Sequence, residues 1–247
     1  MEREDYIKEI EALRRPALEP VVLQADPEPL QIDLKRLAII HVDMENAFAT
    51  KGGFFDLMGW DLTECQKILG PIGKVNDAAR AKGIKIIYIA HQFAKDLSDT
   101  GGPDSGHWHK DLPLTLYREH PEWQNQLLKE GTWGCQIVDE LKPQEGDIVL
   151  PKSRYSSFYN TSLDFVLQTY NIKYLAFTGI ATNICVESTI RDALFRGYFP
   201  ILIKDCAAAA GPPFMQDAVI HNMTICFGWI TTSEKIIKAM QAKKSGG

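Results

Sequence analysis

The 247-residue chain lacks the marks of several protein classes, and each absence closes off a function. No apolar run approaches the ~20 residues that cross a bilayer, so no membrane span is expected. The opening MEREDYIKEIEALRR is charged throughout, unlike a secretory signal with its apolar centre. Basic residues never cluster beyond RR at 14–15 or KK at 243–244, and the net charge is −5. Without a cationic stripe to displace phosphate counterions, a nucleic-acid partner is not expected. Cysteine is sparse: five residues, at 65, 135, 185, 206 and 226, an odd number with no CxxC pair. That pattern suits neither a disulfide framework nor a zinc ribbon, and it points to reduced thiols in a cytoplasm. Internal repeats and low-complexity tracts are missing too.

What the chain does have is 45% apolar residues, enough to bury one large core. Residues 1–33 read as an N-terminal arm: mixed charges with one short helix at 4–14, then PALEPVVLQADPEP, whose prolines argue against a regular element. A single domain is expected over 34–247. LAIIHV (37–42), a helical stretch near 61–82 and IKIIYIA (84–90) open it; an irregular segment (91–133), a short helical WGCQIVDEL and DIVLP (147–151) follow. The remainder reads as helix 161–170, strand 172–178, helix 183–197, strand 199–204, helix 212–221, strand 222–227 and helix 233–242. Strands apolar on both faces, separated by amphipathic helices, predict an α/β fold of three layers, with a parallel sheet between helices. The segment 91–133, with its TGGPDSGHWHKD, far exceeds the usual connection of about 2–6 residues and is expected to form a lid or binding loop.

Ligands of open parallel sheets bind beyond the carboxyl ends of the strands. LAIIHV runs into Asp43, DIVLP into Lys152, and YLAFTG runs through IATNI into Cys185. Singly, such an aspartate is a turn former, such a lysine is solvated and such a cysteine is a small core residue. Three reactive groups at one sheet edge weaken that reading. In NICVESTIRDALFRG, Val186, Ile190, Ala193, Leu194 and Gly197 recur at helical spacing, with Thr182 or Asn183 as the capping residue. Cys185 then falls in the first turn, where unpaired N–H groups and the helix dipole favour a thiolate and hold an oxyanion. The other four cysteines fall in helical text, in a strand or beside AAAA, and read as packing residues.

Taken in order, VDMENAFATKGGFFDLMGWD (42–61), GTWGCQIVDEL (131–141), GDIVLPKSRYSSFYNTSLD (146–164), FTGIATNICVESTIRDA (177–193) and FGW (227–229) cover nearly everything after residue 35. In these motifs the chain resembles the isochorismatase-like cysteine hydrolases, and within them the ureidoacrylate amidohydrolases of pyrimidine degradation. The resemblance implies a six-stranded parallel sheet in the order 3-2-1-4-5-6 and a cis peptide between Ile180 and Ala181. It also implies a triad of Asp43, Lys152 and Cys185, with an oxyanion hole from the N–H groups of Ala181 and Cys185. Where the ureidoacrylate branch carries Asn-x-Trp, this chain has His91-Gln92-Phe93. Biuret, triuret or another N-carbamoyl amide therefore stays open as substrate beside ureidoacrylate, and a non-catalytic binding protein is the alternative of another class.

Around the triad, Phe48, His91, Phe93, His109, Arg154, Tyr155 and Phe158 are the candidate substrate contacts, Arg154 as a bidentate partner for a carboxylate. Phe54, Phe55 and Trp60 read equally well as pocket wall or core. His107 and His109, two residues apart in a loop, are a weak metal pattern, and no metal or cofactor is expected. A homo-oligomer, dimer or tetramer, is expected from the resemblance.

Overall fold

In the computed structural model, which describes residues 18–123 and 127–242, six strands form one parallel sheet. The expected helix at 4–14 lies outside the described residues. The chain opens with a hairpin, β1 (Pro20–Leu23) and β2 (Leu30–Asp33), and enters the sheet with β3 (Leu37–Val42). Helices α1 (Asn46–Ala49), α2 (Phe54–Leu57), α3 (Thr63–Lys67) and α4 (Leu69–Ala81) lead to β4 (Lys85–His91). After α5 (Gly106–Lys110) and α6 (Leu112–Glu119) comes β5 (Ile148–Lys152), then α7 (Leu163–Thr169) and β6 (Tyr174–Ile180). The end of the chain is α8 (Glu187–Phe195), β7 (Phe199–Ala208), α9 (Phe214–Asn222), β8 (Trp229–Thr231) and α10 (Ser233–Gln241). The sheet runs β5-β4-β3-β6-β7-β8, which is the expected 3-2-1-4-5-6 when its strands are counted along the chain.

The sheet sits in the middle because its strands are apolar on both faces. Leu37 and Ile39 of β3 join Ile86 and Tyr88 of β4 in one core, under α4 and α10. Ala38, Ile40 and Val42 join Ile87 and Ile89 in the other, under α7, α8 and α9. This is the two-residue alternation of an extended chain, with both faces covered. Truncating a side chain such as Ile39, fully buried between strand and helix, to alanine costs about 2–5 kcal/mol.

Four segments differ from the sequence reading, the first being 91–133, expected to be irregular, which carries α5 and α6. Residues 20–33 are not irregular despite their prolines: Pro20 starts a strand, Pro27 lies in the turn, and Asp26 exchanges backbone hydrogen bonds of 2.8 and 2.9 Å with Ile230 of β8. Edge and turn positions are where a missing N–H does no harm. WGCQIVDEL is not a helix but two single 3₁₀ turns, Trp133–Cys135 and Asp139–Leu141. The strand expected at 222–227 is a wide helical turn, Met223–Phe227, and the pairing with β7 is made by Trp229–Thr231 instead. A short apolar run does not declare its period, and here Ile225 is 62% exposed, as one face of a helical turn can be and a strand covered on both faces is not. Cys226 is accordingly exposed, not a packing residue.

Candidate active site

The order reversal of the sheet falls between β3 and β6, and the carboxyl ends of these strands and their neighbours carry the polar groups. Asp43 follows β3 directly. Its backbone takes the left-handed conformation at φ 54°, which short polar residues tolerate better than most. Its N–H still donates to Ile89 O at 2.9 Å, so β4 anchors the residue while the left-handed turn redirects the chain. Lys152 ends β5 and lies in register with His91, the last residue of β4.

Cys185 reaches the same crevice by another route. Gly179 brings β6 against β3 so closely that a Cβ there would lie 2.0 Å from Val42 O. Only glycine permits this approach. The Ile180–Ala181 peptide is cis, and a wide helical turn, Thr182–Val186, then leads into α8. Neither Thr182 nor Asn183 caps the helix as expected; Ala181 takes that position without a side-chain bond. The Asn183 amide instead holds the loop after β7, donating to Ala210 O at 3.0 Å and accepting from its N–H at 2.9 Å.

The Lys152 ammonium donates to Asp43 Oδ2 at 2.8 Å and to Cys185 Sγ at 3.4 Å, and approaches His91 Nδ1 at 3.3 Å. All four residues are buried. Burial raises the Asp43 carboxyl above its ordinary range even though Lys152 and the Cys185 thiol hold it down. For Lys152 burial acts downward, but Asp43 and Cys185 win and the ammonium stays charged. The Cys185 thiol is pushed well up, by burial first and then by the Asp43 charge. Burial therefore opposes the thiolate that its place near a helix start favours.

Asp43, His91 and Cys185 present donor atoms within 4.8 Å of one another, a grouping that could hold a small cation. A cation already stands among them, because Lys152 reaches all three.

Phe48, Phe54, Phe55, Leu112, Pro113, Tyr155, Ile180 and Ile184 wall a narrow cavity of about 20 Å³ that ends on Asp43, Ala181 and Cys185. The long segment thus supplies Leu112 and Pro113 as a roof, and Tyr155 Oη fixes it by accepting from Leu112 N at 3.0 Å. Asp111 beside them is buried and its carboxyl is raised by burial to about 7. Of the residues considered as substrate contacts, Phe48 and Tyr155 line this cavity. His91 stands behind Lys152. Phe93 is sealed between His91 and Tyr117. His109 faces solvent and bonds Pro103 O, while His107 turns inward toward Asp111 and Tyr155. Arg154 donates to Asp99 O and Ser153 O. Phe158 stacks on Tyr198 in the core beneath α7 and α8. Phe54 and Phe55 join the wall, and Trp60 packs on Phe55 at 4.6 Å between ring centroids.

The sequence reading passed over Glu45. It is fully buried, accepts from His91 N at 2.6 Å through Oε2, and its carboxyl is held well above the ordinary range by burial and by Asp43. A second acid two residues after Asp43 was the available signal.

The isochorismatase domain profile matches residues 37–235. The chain belongs to the isochorismatase family. One relative, the ureidoacrylate amidohydrolase RutB of Agrobacterium fabrum, is 46% identical over 212 residues, 86% of this chain and 93% of the relative. Among solved structures, a cysteine hydrolase from Pseudomonas syringae pv. phaseolicola is 28% identical with a TM-score of 0.72, covering 90% of this chain and 98% of that one. N-carbamoylsarcosine amidase from Thermoplasma acidophilum, also 28% identical, has a TM-score of 0.60 and covers 81% of this chain and 97% of its own.

Proposed function

We propose that this isochorismatase-family protein is a cysteine-dependent amidohydrolase that cleaves a C–N bond of a small ureido compound, with ureidoacrylate as its substrate. The observation that carries the reading is the meeting of a sulfur, a carboxylate and an ammonium from three strand ends, at 2.8 and 3.4 Å from one nitrogen. The naming of the Agrobacterium relative supports the substrate.

Asp43 takes the thiol proton as Cys185 attacks the ureido carbonyl. Its raised affinity for a proton makes it a stronger base than an ordinary carboxylate. The transfer exchanges one anion for another, so the buried site keeps its net charge and Lys152 balances either state. The developing oxyanion rests on the N–H groups of Ala181 and Cys185. Protonated Asp43 then gives its proton to the leaving nitrogen, aminoacrylate departs, and a carbamoyl thioester remains on Cys185. Water, losing a proton to Asp43, attacks the thioester and releases carbamate.

A second reading, a neutral biuret, triuret or other N-carbamoyl amide as substrate, is favoured by one feature. Among the described residues the cavity wall carries no cationic side chain for a carboxylate, and Arg154 is engaged elsewhere. Steady-state rates with ureidoacrylate, biuret and triuret decide between the two. Cys185→Ser is expected to abolish turnover, and mass spectrometry of rapidly quenched native protein is expected to find a carbamoyl adduct on Cys185. A Cys185→Ser protein that turns over normally would sink both readings, whereas a native protein that turns over none of the three compounds would leave a binding protein.

We also infer a cytoplasmic homo-oligomer. Its support is the five free cysteines and the exposed Phe165, Phe195, Phe214 and Ile225, which association would cover. A monomeric mass by light scattering would remove the oligomer.

A further inference from the structure

The three N–H bonds of the Lys152 ammonium have three acceptors within reach. Two are Asp43 Oδ2 and Cys185 Sγ, and the third is His91 Nδ1 at 3.3 Å. The last contact is built into the sheet. His91 and Lys152 are register partners at the ends of neighbouring strands, so their side chains leave the same edge together. The His91 main chain is held in turn by Glu45, whose Oε2 accepts from its N–H at 2.6 Å. Phe48 and Phe93 pack on the ring, with centroids 6.3 and 5.1 Å away.

An ammonium can only donate, so the Nδ1 that faces it must keep its lone pair. The ring is then neutral, with its hydrogen on Nε2, a buried atom that has no hydrogen-bond partner among the described residues. Burial and the Lys152 charge agree with that state, holding His91 well below its ordinary range. An imidazolium in this position would set two cations 3.3 Å apart in a dry crevice.

We propose that His91 is a positioning residue that takes one hydrogen of the Lys152 ammonium and so directs the other two at Asp43 and Cys185, with Glu45 holding His91 in place. The proposal rests on the reading of Asp43, Lys152 and Cys185 as the reacting groups. It moves His91 from the substrate to the far side of the lysine. A lysine without the third acceptor swings about its flexible stem, and a displacement of about 1 Å at a reacting centre costs on the order of 100-fold in rate.

The test compares His91→Phe, which keeps a ring but loses the acceptor, with His91→Asn, whose Oδ1 takes the place of Nδ1. Both are made in a Cys226→Ser background, because exposed Cys226 would otherwise take up label. His91→Phe is expected to lower kcat by about 10–100-fold with KM changed less than about threefold. It is also expected to slow iodoacetamide labelling of Cys185 at pH 8 by about tenfold. His91→Asn should recover most of both losses. Labelling needs no turnover, so it reports on the ammonium even if the substrate is misassigned. A rise in KM alone would return His91 to the substrate and overturn the proposal, as would unchanged labelling in His91→Phe or an Asn variant as poor as the Phe one. If His91→Phe does not fold, His91→Asn with labelling as slow as that of Lys152→Met overturns it as well. Full turnover by Cys185→Ser would defeat the underlying reading whatever His91 does.

Discussion

At the scale of single residues the site is a problem in charge. Lys152 and Asp43 are both buried, and neither would be tolerated there without the other. Removing one partner leaves a bare charge, which typically costs about 3–5 kcal/mol, whereas removing both costs far less. Lys152→Met is therefore expected to lose activity and to lower the urea midpoint strongly. Lys152→Met combined with Asp43→Asn should regain much of the stability and none of the activity. Equal destabilisation in the single and double variants, read from chemical denaturation, would mean that the pair is not coupled as its 2.8 Å separation requires. The positions of these residues were legible in the sequence because each lies at or just beyond the carboxyl end of a largely apolar strand. The burial of Cys185 was not: a helix start is visible in text, but the desolvation that opposes a thiolate there comes with Phe48, Leu112 and Tyr155, from distant segments.

Secondary-structure elements explain how a substrate enters. A cavity of about 20 Å³ suits a solvent molecule better than a ureido acid, so the roof, α5 and α6, has to lift. Leu114, Leu116 and Tyr117 seat α6 on the core, and polar bonds hold its start. Tyr155 Oη accepts from Leu112 N and donates to Lys110 O at 3.4 Å, and Asp111 caps α6 by accepting from Leu114 N at 3.2 Å. Gly101 and Gly102, both at positive φ, give the chain a place to bend just before the roof. Amide hydrogen exchange in 106–119 is expected to be faster in Tyr155→Phe than in the native protein, and to slow in Cys185→Ser when ureidoacrylate is added. Exchange that ignores both changes would show a roof that does not move. The long segment announced this role by its length alone, and its short helices were hidden by the glycines and prolines between them. The misplaced strand at 222–227 failed for a related reason: MTICF has the composition of a strand, but the place beside β7 goes to the residues that can also bond Asp26.

Across the whole molecule, a second buried polar chain ties the sheet to its covering helix and sets how the fold answers to acid. His41, in the middle of the apolar β3, accepts from Thr178 Oγ1 of β6 at 2.5 Å through Nδ1 and donates from Nε2 to Asn76 Oδ1 of α4 at 2.7 Å. Asn76 donates onward to Tyr88 Oη at 3.1 Å. The sheet order could be read without this network, since apolar strands and right-handed crossovers suffice; a lone histidine inside LAIIHV says nothing of its partners. Burial drives His41 from 6.5 down to about 4, so the folded chain refuses a proton that the unfolded chain accepts. The sign follows directly: the contribution is complete above pH 6.5 and is lost as pH falls toward 4, reaching about 3 kcal/mol. Asp111 works in the opposite direction, because its raised carboxyl favours the fold below pH 4 and loses that advantage as pH rises through 7. Carboxylates elsewhere also respond to acid, so the informative quantity is a difference in slope. Stability measured by urea unfolding from pH 7.5 to 4.5 should fall more steeply in the native protein than in His41→Gln, whatever the absolute stability of the variant. Parallel curves would mean that His41 takes up its proton in the folded state as readily as in the unfolded one, which a ring sealed between Thr178 and Asn76 cannot do.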